Sequence, residues 1–498
     1  MQKYLLAIDQ GTTNSRAIIF DRNGKLIAQH EMALQQFFPN SGWVEQHPDE
    51  IYDNTVSCCR EVMKKAELEV DQVAAIGISN QRETTIIWDK HTGRPVYPAI
   101  VWQDRRTSEM CRKLAVTLPA ELIQQKTGLL IDPYFSATKI MWLLENIPGI
   151  KAKISKGNLL FGTVDTYLVW KLTKGKSHVT DITNASRTML YDIKAQQWDA
   201  DLLQHMDIPK NILPEVLDNT ADFGETHPSI FGKAIPITGM AGDQQAATVG
   251  QACFHHGMMK TTFGTGCFML LNTGSEMIVS ENRLLSTVAY RINHKIAYGL
   301  EGSIFSAGVT VKWLRDTLHL IRTAAETEMH AKGLVDTNGV YLVPAFTGLG
   351  APYWDPDARA SLTGLTRGTT TSHIARAALE AVAYQTRDLL DAMSKDYGNV
   401  IETLRVDGGM SANNWLLQFL ADMAGLVVER PACIETSALG AAYLAGLQVG
   451  IYASLKDIEE LWEMNAEFTP NMLTDLRNDL YDGWKQAVAR TIKNHYTK

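Results

Sequence analysis

The sequence is short of several features that would assign it quickly. Its 498 residues hold six cysteines, Cys58, Cys59, Cys111, Cys253, Cys267 and Cys433, with no CxxC pair and no Cys/His set at zinc-ligand spacing. That pattern excludes a disulfide scaffold and a structural zinc site, and it fits free thiols in a reducing compartment. No apolar run approaches the ~18 residues that a membrane span needs. The opening run "YLLAI" meets Asp9 before it could form the core of a secretory signal. A cytoplasmic protein with no stable membrane insertion is expected. Positive charge is lacking as well: 47 Lys and Arg stand against 55 Asp and Glu, a formal net charge of −8, without the basic stripe of a nucleic-acid binder.

Common phosphate and hydrolase signatures are also missing. "GKS" at 175–177 has Trp170 where a Walker A loop needs glycine. "FGTGCFM" and "GLGAPYW" begin as GxG but lack the third glycine of a dinucleotide fingerprint. There is no HExxH and no GxSxG. His255 and His256 are adjacent, so they do not share a helical face.

What is present is a mixed α/β chain of ordinary globular composition, 45% hydrophobic and 20% charged, long enough for two or three domains with a cleft between them. Strand-like runs recur at 74–79, 84–89, 188–192, 267–272, 341–346 and 404–409, with helix-like segments between them. The strongest helix starts at "SHIARAALEAVAYQTRDLLDAM", where Ser372 is placed to cap it. "SALGAAYLAGLQVG" (437–450) has the Ala and Gly content of a helix packed close to another backbone. Leu480, Trp484, Val488 and Ile492 form a stripe four residues apart, which reads as core packing.

Residues 3–20, "KYLLAIDQGTTNSRAIIF", echo residues 258–274, "MMKTTFGTGCFMLLNTG", as strand, Gly-Thr turn and strand. Two such hairpins about 250 residues apart suggest two similarly built domains, with the boundary near "AIPITGMAGDQQAATVG" (234–250). A turn of small hydroxyl residues with exposed N–H groups is a cradle for an anion. Acid and Gly-Thr turns therefore stand out: Asp9 before Gly11, Asp243 in "GDQQ", Thr265 in "GTG", and "DGGMSANN" from Asp407.

In chain order these turns, together with "NQRETT" (80–85), "VWQDRRT" (101–107), "LIDPYF" (130–135), "GTVDTYLVWKLT" (162–173), "TNASRTML" (183–190), "VPAFTGLGAPYWD" (343–355) and "RVDGG" (405–409), make the chain resemble the glycerol kinases. These belong to a carbohydrate-kinase family that shares the actin and Hsp70 ATPase fold, and the likeness runs from Lys3 to Trp484. It implies an α/β fold of two actin-like (ribonuclease H-like) ATPase domains flanking a deep cleft. Residues 1–250 would carry the phosphate turn and polyol site, and residues 251–498 the nucleotide site and C-terminal helices. The implied reaction moves the γ-phosphoryl group of ATP, with Mg2+, to glycerol, giving sn-glycerol 3-phosphate and ADP. A homodimer or homotetramer is implied too.

By the same resemblance, Thr12, Thr13 and Asn14 contact the phosphates and Arg16 supplies positive charge, replacing a Walker lysine. Asp243 is the implied base and Asp9 the metal-side carboxylate, supporting Mg2+ through water. Arg82, Glu83, Tyr134 and Gln244 would read glycerol hydroxyls, while Trp102 and Phe268 wall the carbon skeleton. Adjacent residues on a strand point to opposite faces, so Arg82 and Glu83 can share one ligand only if "QRET" is a turn or a strand end. Thr265, Gly308, Gly409 and Asn413 match nucleotide contacts, and Lys312 stands where many relatives carry Gln. "ETHPSIFGKAIPI" lacks both the HFYG loop that accepts phosphate from a phosphocarrier protein and the Gly-rich loop that binds fructose 1,6-bisphosphate, so neither control is expected. A pentulose kinase and a nucleotide-switched binding protein of the actin or Hsp70 kind are the alternatives.

Overall fold

In the computed structural model, which describes residues 3–355 and 357–493, the first hairpin seeds a five-stranded sheet. The strand Tyr4–Gln10 returns antiparallel as Asn14–Phe20 and again as Leu26–Ala33. On its other side lie two parallel strands, Val73–Asn80 and then Ile237–Gly242. Leu5, Leu6, Ala7 and Ile8 are all fully buried. A central strand covered on both faces needs such an unbroken apolar run; here the helices Pro48–Lys65 and Thr436–Gln448 pack against the sheet.

The second hairpin repeats this topology. Met259–Phe263 pairs antiparallel with Cys267–Gly274, which pairs with Lys295–Ile304, and the parallel strands Thr403–Asp407 and Val427–Pro431 follow on the other side. Leu285–Ile292 and Met464–Phe468 extend the edges to seven strands. The echo between residues 3–20 and 258–274 is therefore two copies of one strand order.

Each copy continues from its last parallel strand into or toward a helix, Asp243–Gly250 in the first and Thr436–Gln448 in the second. These helices cross with their backbones in contact. A Cβ on Gly440 would lie 1.8 Å from the Ala246 carbonyl oxygen, and one on Gly250 would lie 2.0 Å from that of Thr436. Thr436–Gln448 also presses on the first sheet, where a Cβ on Gly77 would meet the Ala441 carbonyl oxygen at 2.0 Å. The Ala/Gly content of this segment is the condition for that approach.

Some local expectations need correction. The long helix is Thr371–Tyr397, capped by Thr370 rather than Ser372: Thr370 and His373 form a reciprocal capping box. Ser372 lies inside the first turn and its hydroxyl pairs with His330 Nδ1 at 2.9 Å. The run 188–192 contributes only Tyr191–Asp192 as strand, after Met189 adopts a φ of +64°. The C-terminal stripe lies on the helix Thr474–Lys493, where Trp484 stacks on Tyr384 at 5.5 Å and donates its Nε1–H to Asp388 at 2.9 Å.

Candidate active site

The first turn is held so that its N–H groups face outward. Gly11 N donates to Asn14 O at 3.0 Å and closes the turn. Its carbonyls are tied back by Gln81 Nε2 to Gly11 O (3.2 Å), Gln46 Nε2 to Thr12 O (2.6 Å) and Leu34 N to Thr13 O (2.9 Å). The N–H groups of Thr12 and Thr13 find no acceptor among the described residues, which is the arrangement of a backbone anion nest. Asn14 donates its amide to Glu31 at 3.2 Å.

Asp9 and Arg16 face each other across the hairpin. Arg16 Nε donates to Asp9 Oδ2 at 3.1 Å, its Nη2 pairs with the same oxygen, and its Nη1 reaches Glu435 Oε2 at 2.6 Å. Asp9, then Glu435, raise the Arg16 pKa against the cost of its burial. The cation beside the turn is thus shared between two carboxylates, one of them immediately before the helix Thr436–Gln448. Asp9 Oδ1 takes no hydrogen bond from the described residues.

The strand Val73–Asn80 ends just before the next group. Thr84 N donates to Arg82 O at 2.7 Å around Glu83, whose φ is +60°. This γ-turn is a strained conformation for a non-glycine residue, and it releases Arg82 and Glu83 from the opposite-face rule of a strand. Arg82 Nε lies 3.3 Å from Asp243 Oδ1, and its Nη1 pairs with Glu301. Glu83 Oε1 accepts from Arg187 Nε at 2.7 Å, and Arg187 Nη2 donates to Glu301 at 2.9 Å. The aromatic wall is continuous: Trp102 lies 5.6 Å from Tyr134 and 5.9 Å from Phe268 between ring centroids. Trp102 Nε1 also donates to Thr12 Oγ1 at 2.9 Å, joining this wall to the first turn.

Asp243 opens its helix with Oδ1 accepting from Gln244 N at 2.8 Å, while Oδ2 has no partner among the described residues. Desolvation pushes this carboxyl above its ordinary value, and Arg82 and Lys260 pull it back. Such a carboxylate, oriented through one oxygen and open at the other, can accept a proton. Gln244 turns its Oε1 to Lys260 Nζ at 2.5 Å.

On the far side of the cleft, Thr265, Gly308, Gly409 and Asn413 line one cavity of about 570 Å³ together with Asn14 and Lys312. Nothing lies within 4 Å of a Cβ built on Gly409, so that turn leaves its space to the cavity. Gly308 is different: a Cβ there would lie 2.4 Å from the Gly264 carbonyl oxygen, so turn packing alone requires glycine. Asn413 caps the helix Asn414–Ala424 by accepting from Leu416 N at 3.0 Å.

A buried polar layer joins the ends of the strands that carry Arg82 and Asp243. Asp181 accepts from Thr183 N (2.7 Å), Asn184 Nδ2 (2.8 Å) and Asn219 Nδ2 (3.0 Å), and Thr183 Oγ1 accepts from Gly242 N at 3.0 Å. Asp165 accepts from Thr163 Oγ1 (2.5 Å) and Thr180 Oγ1 (2.6 Å). Burial pushes both carboxyls up, and Asp165 adds to the rise at Asp181. Because the folded values exceed the unfolded one near about 4, this contribution to stability is complete below that pH and is lost as pH rises through the folded values. Asp181→Asn is expected to flatten the decline of urea midpoints between pH 5 and 8; an unchanged slope would assign the decline elsewhere.

The sequence matches two consecutive family models. Residues 4–250 match the N-terminal domain of the FGGY family of carbohydrate kinases, and residues 259–449 match its C-terminal domain. The chain belongs to the FGGY family. Among curated FGGY kinases, the chain is 58% identical over 494 residues to a glycerol kinase of Coxiella burnetii, covering 99% of this chain and 98% of the relative. The crystal structure of Plasmodium falciparum glycerol kinase with ADP matches with a TM-score of 0.90 and 39% identity, over 98% of each chain. Gluconate kinase from Lactobacillus acidophilus matches at 0.85 with 22% identity, over 99% of this chain and 98% of that one, a likeness of fold alone.

For this FGGY kinase the expected site residues fall into three neighbouring groups. Thr12, Thr13, Asn14, Asp9 and Arg16 surround the first turn. Arg82, Glu83, Trp102, Tyr134, Asp243 and Phe268 meet at the aromatic wall, and Thr265, Gly308, Gly409 and Asn413 line the cavity. Sequence reasoning missed Glu301, Arg187 and Lys260, although Arg187 lies within "TNASRTML". Glu301 and Lys260 sit inside strands, Lys295–Ile304 and Met259–Phe263, with nothing local to mark them.

Proposed function

We propose that this FGGY kinase phosphorylates glycerol with ATP, giving sn-glycerol 3-phosphate and ADP, with Asp243 as the base. The observation carrying this is a compact set of polar and aromatic groups: Arg82, Glu83 and Asp243 gather beside the Trp102–Phe268 wall. Full-length similarity to proteins named glycerol kinase supports the same substrate.

Glycerol's hydroxyls both donate and accept, matching the donor-only Arg82 and the acceptor Glu83. Asp243 Oδ2 accepts the proton of the attacking hydroxyl. The glycerol oxygen then bonds to the γ-phosphorus while the bond from that phosphorus to the β–γ bridging oxygen breaks. The products are sn-glycerol 3-phosphate, ADP and a proton. Thr12 and Thr13 N–H groups hold the phosphates, with Asn14 at the rim and Arg16 providing charge-assisted contacts. The nucleotide lies along Thr265, Gly308, Gly409 and Asn413.

Asp9 fits the Mg2+ that phosphoryl transfer employs. Its Oδ1 is open, and no group of three or more His, Cys, Asp or Glu side chains placed to hold a metal occurs among the described residues. Mg2+ takes one or two carboxylates and completes its shell with water and phosphate; when bound, it neutralises phosphate charge. Residues 1–250 and 251–498 act as the two halves of the cleft, in keeping with the spans 4–250 and 259–449. The proposal includes a cytoplasmic location, in keeping with six free thiols, and assembly as a homodimer or homotetramer.

ADP release by the purified protein with Mg-ATP and glycerol, xylulose, ribulose, gluconate or no acceptor tests the assignment. Stimulation by glycerol alone is expected. Stimulation by a pentulose or gluconate instead would overturn the substrate, and no stimulation by any acceptor would overturn the kinase reading.

A further inference from the structure

Lys260 is a fully buried lysine on the strand Met259–Phe263; burial lowers its pKa, and the carboxylates of Asp407 and Asp243 work against that and favour the ammonium form. Its Nζ donates to Gln244 Oε1 at 2.5 Å and to Thr262 Oγ1 at 3.1 Å. The charges around it come from four other places in the fold: Asp407 at the end of Thr403–Asp407, Asp243 at the head of its helix, Arg82 after Val73–Asn80, and Glu301 within Lys295–Ile304. A buried cation is costly unless its surroundings use it. Neutralising Asp407 alone would not explain the close contact with Gln244.

That contact settles which way the Gln244 amide points. An ammonium group has donors and no acceptor, so the carbonyl end must face Lys260, and a flipped amide would oppose N–H to N–H. Gln244 is nearly buried, yet its Nε2 has no acceptor among the described residues and is not sealed from solvent. The free donor therefore reaches solvent, one residue along the helix start from Asp243.

We propose that Lys260 is a positioning residue for substrate recognition: it locks the Gln244 amide so that Nε2 is presented to a hydroxyl of the polyol. The proposal rests on the assignment of glycerol to this pocket. It makes a residue of the second half of the chain set the donor pattern read by the first.

Steady-state kinetics of Lys260→Met and Gln244→Glu, with glycerol and ATP varied separately, test it. Lys260→Met releases the amide, so the glycerol KM is expected to rise about tenfold, the worth of one oriented hydrogen bond, with the ATP KM unchanged. In Gln244→Glu a carboxylate keeps Lys260 paired, so Tm is held or raised, yet the donor is gone and the glycerol KM rises by a similar factor. The double variant loses no more than the greater single loss, because both act on one contact. Should Lys260→Met fail to fold, Gln244→Glu decides alone. With glycerol-stimulated ADP release intact in the wild type, an unmoved glycerol KM in Gln244→Glu, or equal rises in both KM values for Lys260→Met, overturns the role of Lys260. No stimulation of the wild type by glycerol overturns the substrate assignment and this role with it.

Discussion

Asp243→Asn is expected to lower kcat for glycerol phosphorylation by about 10³-fold, within the range set by loss of a general base, while the ATP KM stays near the wild-type value. Asn retains an oxygen for Arg82 Nε and for Gln244 N, so the helix start and the pocket survive. What disappears is the open Oδ2 that takes the hydroxyl proton in the proposed mechanism. The acid limb of the wild-type rate profile provides a second readout. Desolvation raises the Asp243 carboxyl above its ordinary value, so activity falls as pH drops through that raised value and the base becomes protonated. The residual activity of Asp243→Asn should lack this limb. A loss smaller than tenfold, or an acid limb that persists, would take the base role away from Asp243.

Glu301→Ala has the largest effect expected on the body of the protein. Glu301 is wholly buried and accepts from two arginines, Arg82 and Arg187, whose side chains are 2% and 0% exposed. Removing the shared acceptor leaves Arg82 with Asp243 and Arg187 with Glu83, and it strips the buried Nη donors of both arginines of the Glu301 oxygens they point at. Breaking such a buried network typically costs about 3–5 kcal/mol, readable as a fall in the urea midpoint at unchanged m-value. The glycerol KM should rise as well, because Arg82 is both the partner of Glu301 and the proposed donor to the substrate. A stability loss below about 1 kcal/mol, the scale of exposed pairs, would mean that water or side-chain rearrangement compensates the two arginines.

Glu301 also shows where the sequence ran out. Its pairing with Arg82 spans 219 residues, and in "YGLEGS" a single acid within an apolar run carries no local signal of that partner. Lys260 in "MMKTTF" has the same difficulty, since a lysine on a strand ordinarily faces water. Asp9, Arg82 and Asp243 were legible because each sits at or beyond the end of a strand, where turn chemistry and motif order leave a mark. The internal echo was legible for a related reason: strand, Gly-Thr turn and strand is a short pattern, and it seeds both sheets. The capping of Thr371–Tyr397 was misplaced by two residues because "TTTS" offers several hydroxyls in succession, and only the reciprocal bond with His373 selects Thr370. The direction of the Gln244 amide depends on a cation 16 residues away, beyond anything that spacing can express.

The crossing of Asp243–Gly250 with Thr436–Gln448 bears on how relatives can diverge. Asp243 heads one helix, and Glu435, the partner of Arg16, stands immediately before the other. With Gly250 and Gly440 at the contact, the separation of those two heads is gauged by main chain against main chain. Side-chain substitutions along the cleft can reshape the substrate pocket without resetting that gauge. A methyl group at Gly440 would reset it at once, so mutational drift has wide latitude in the choice of acceptor and almost none in the spacing of the reacting groups.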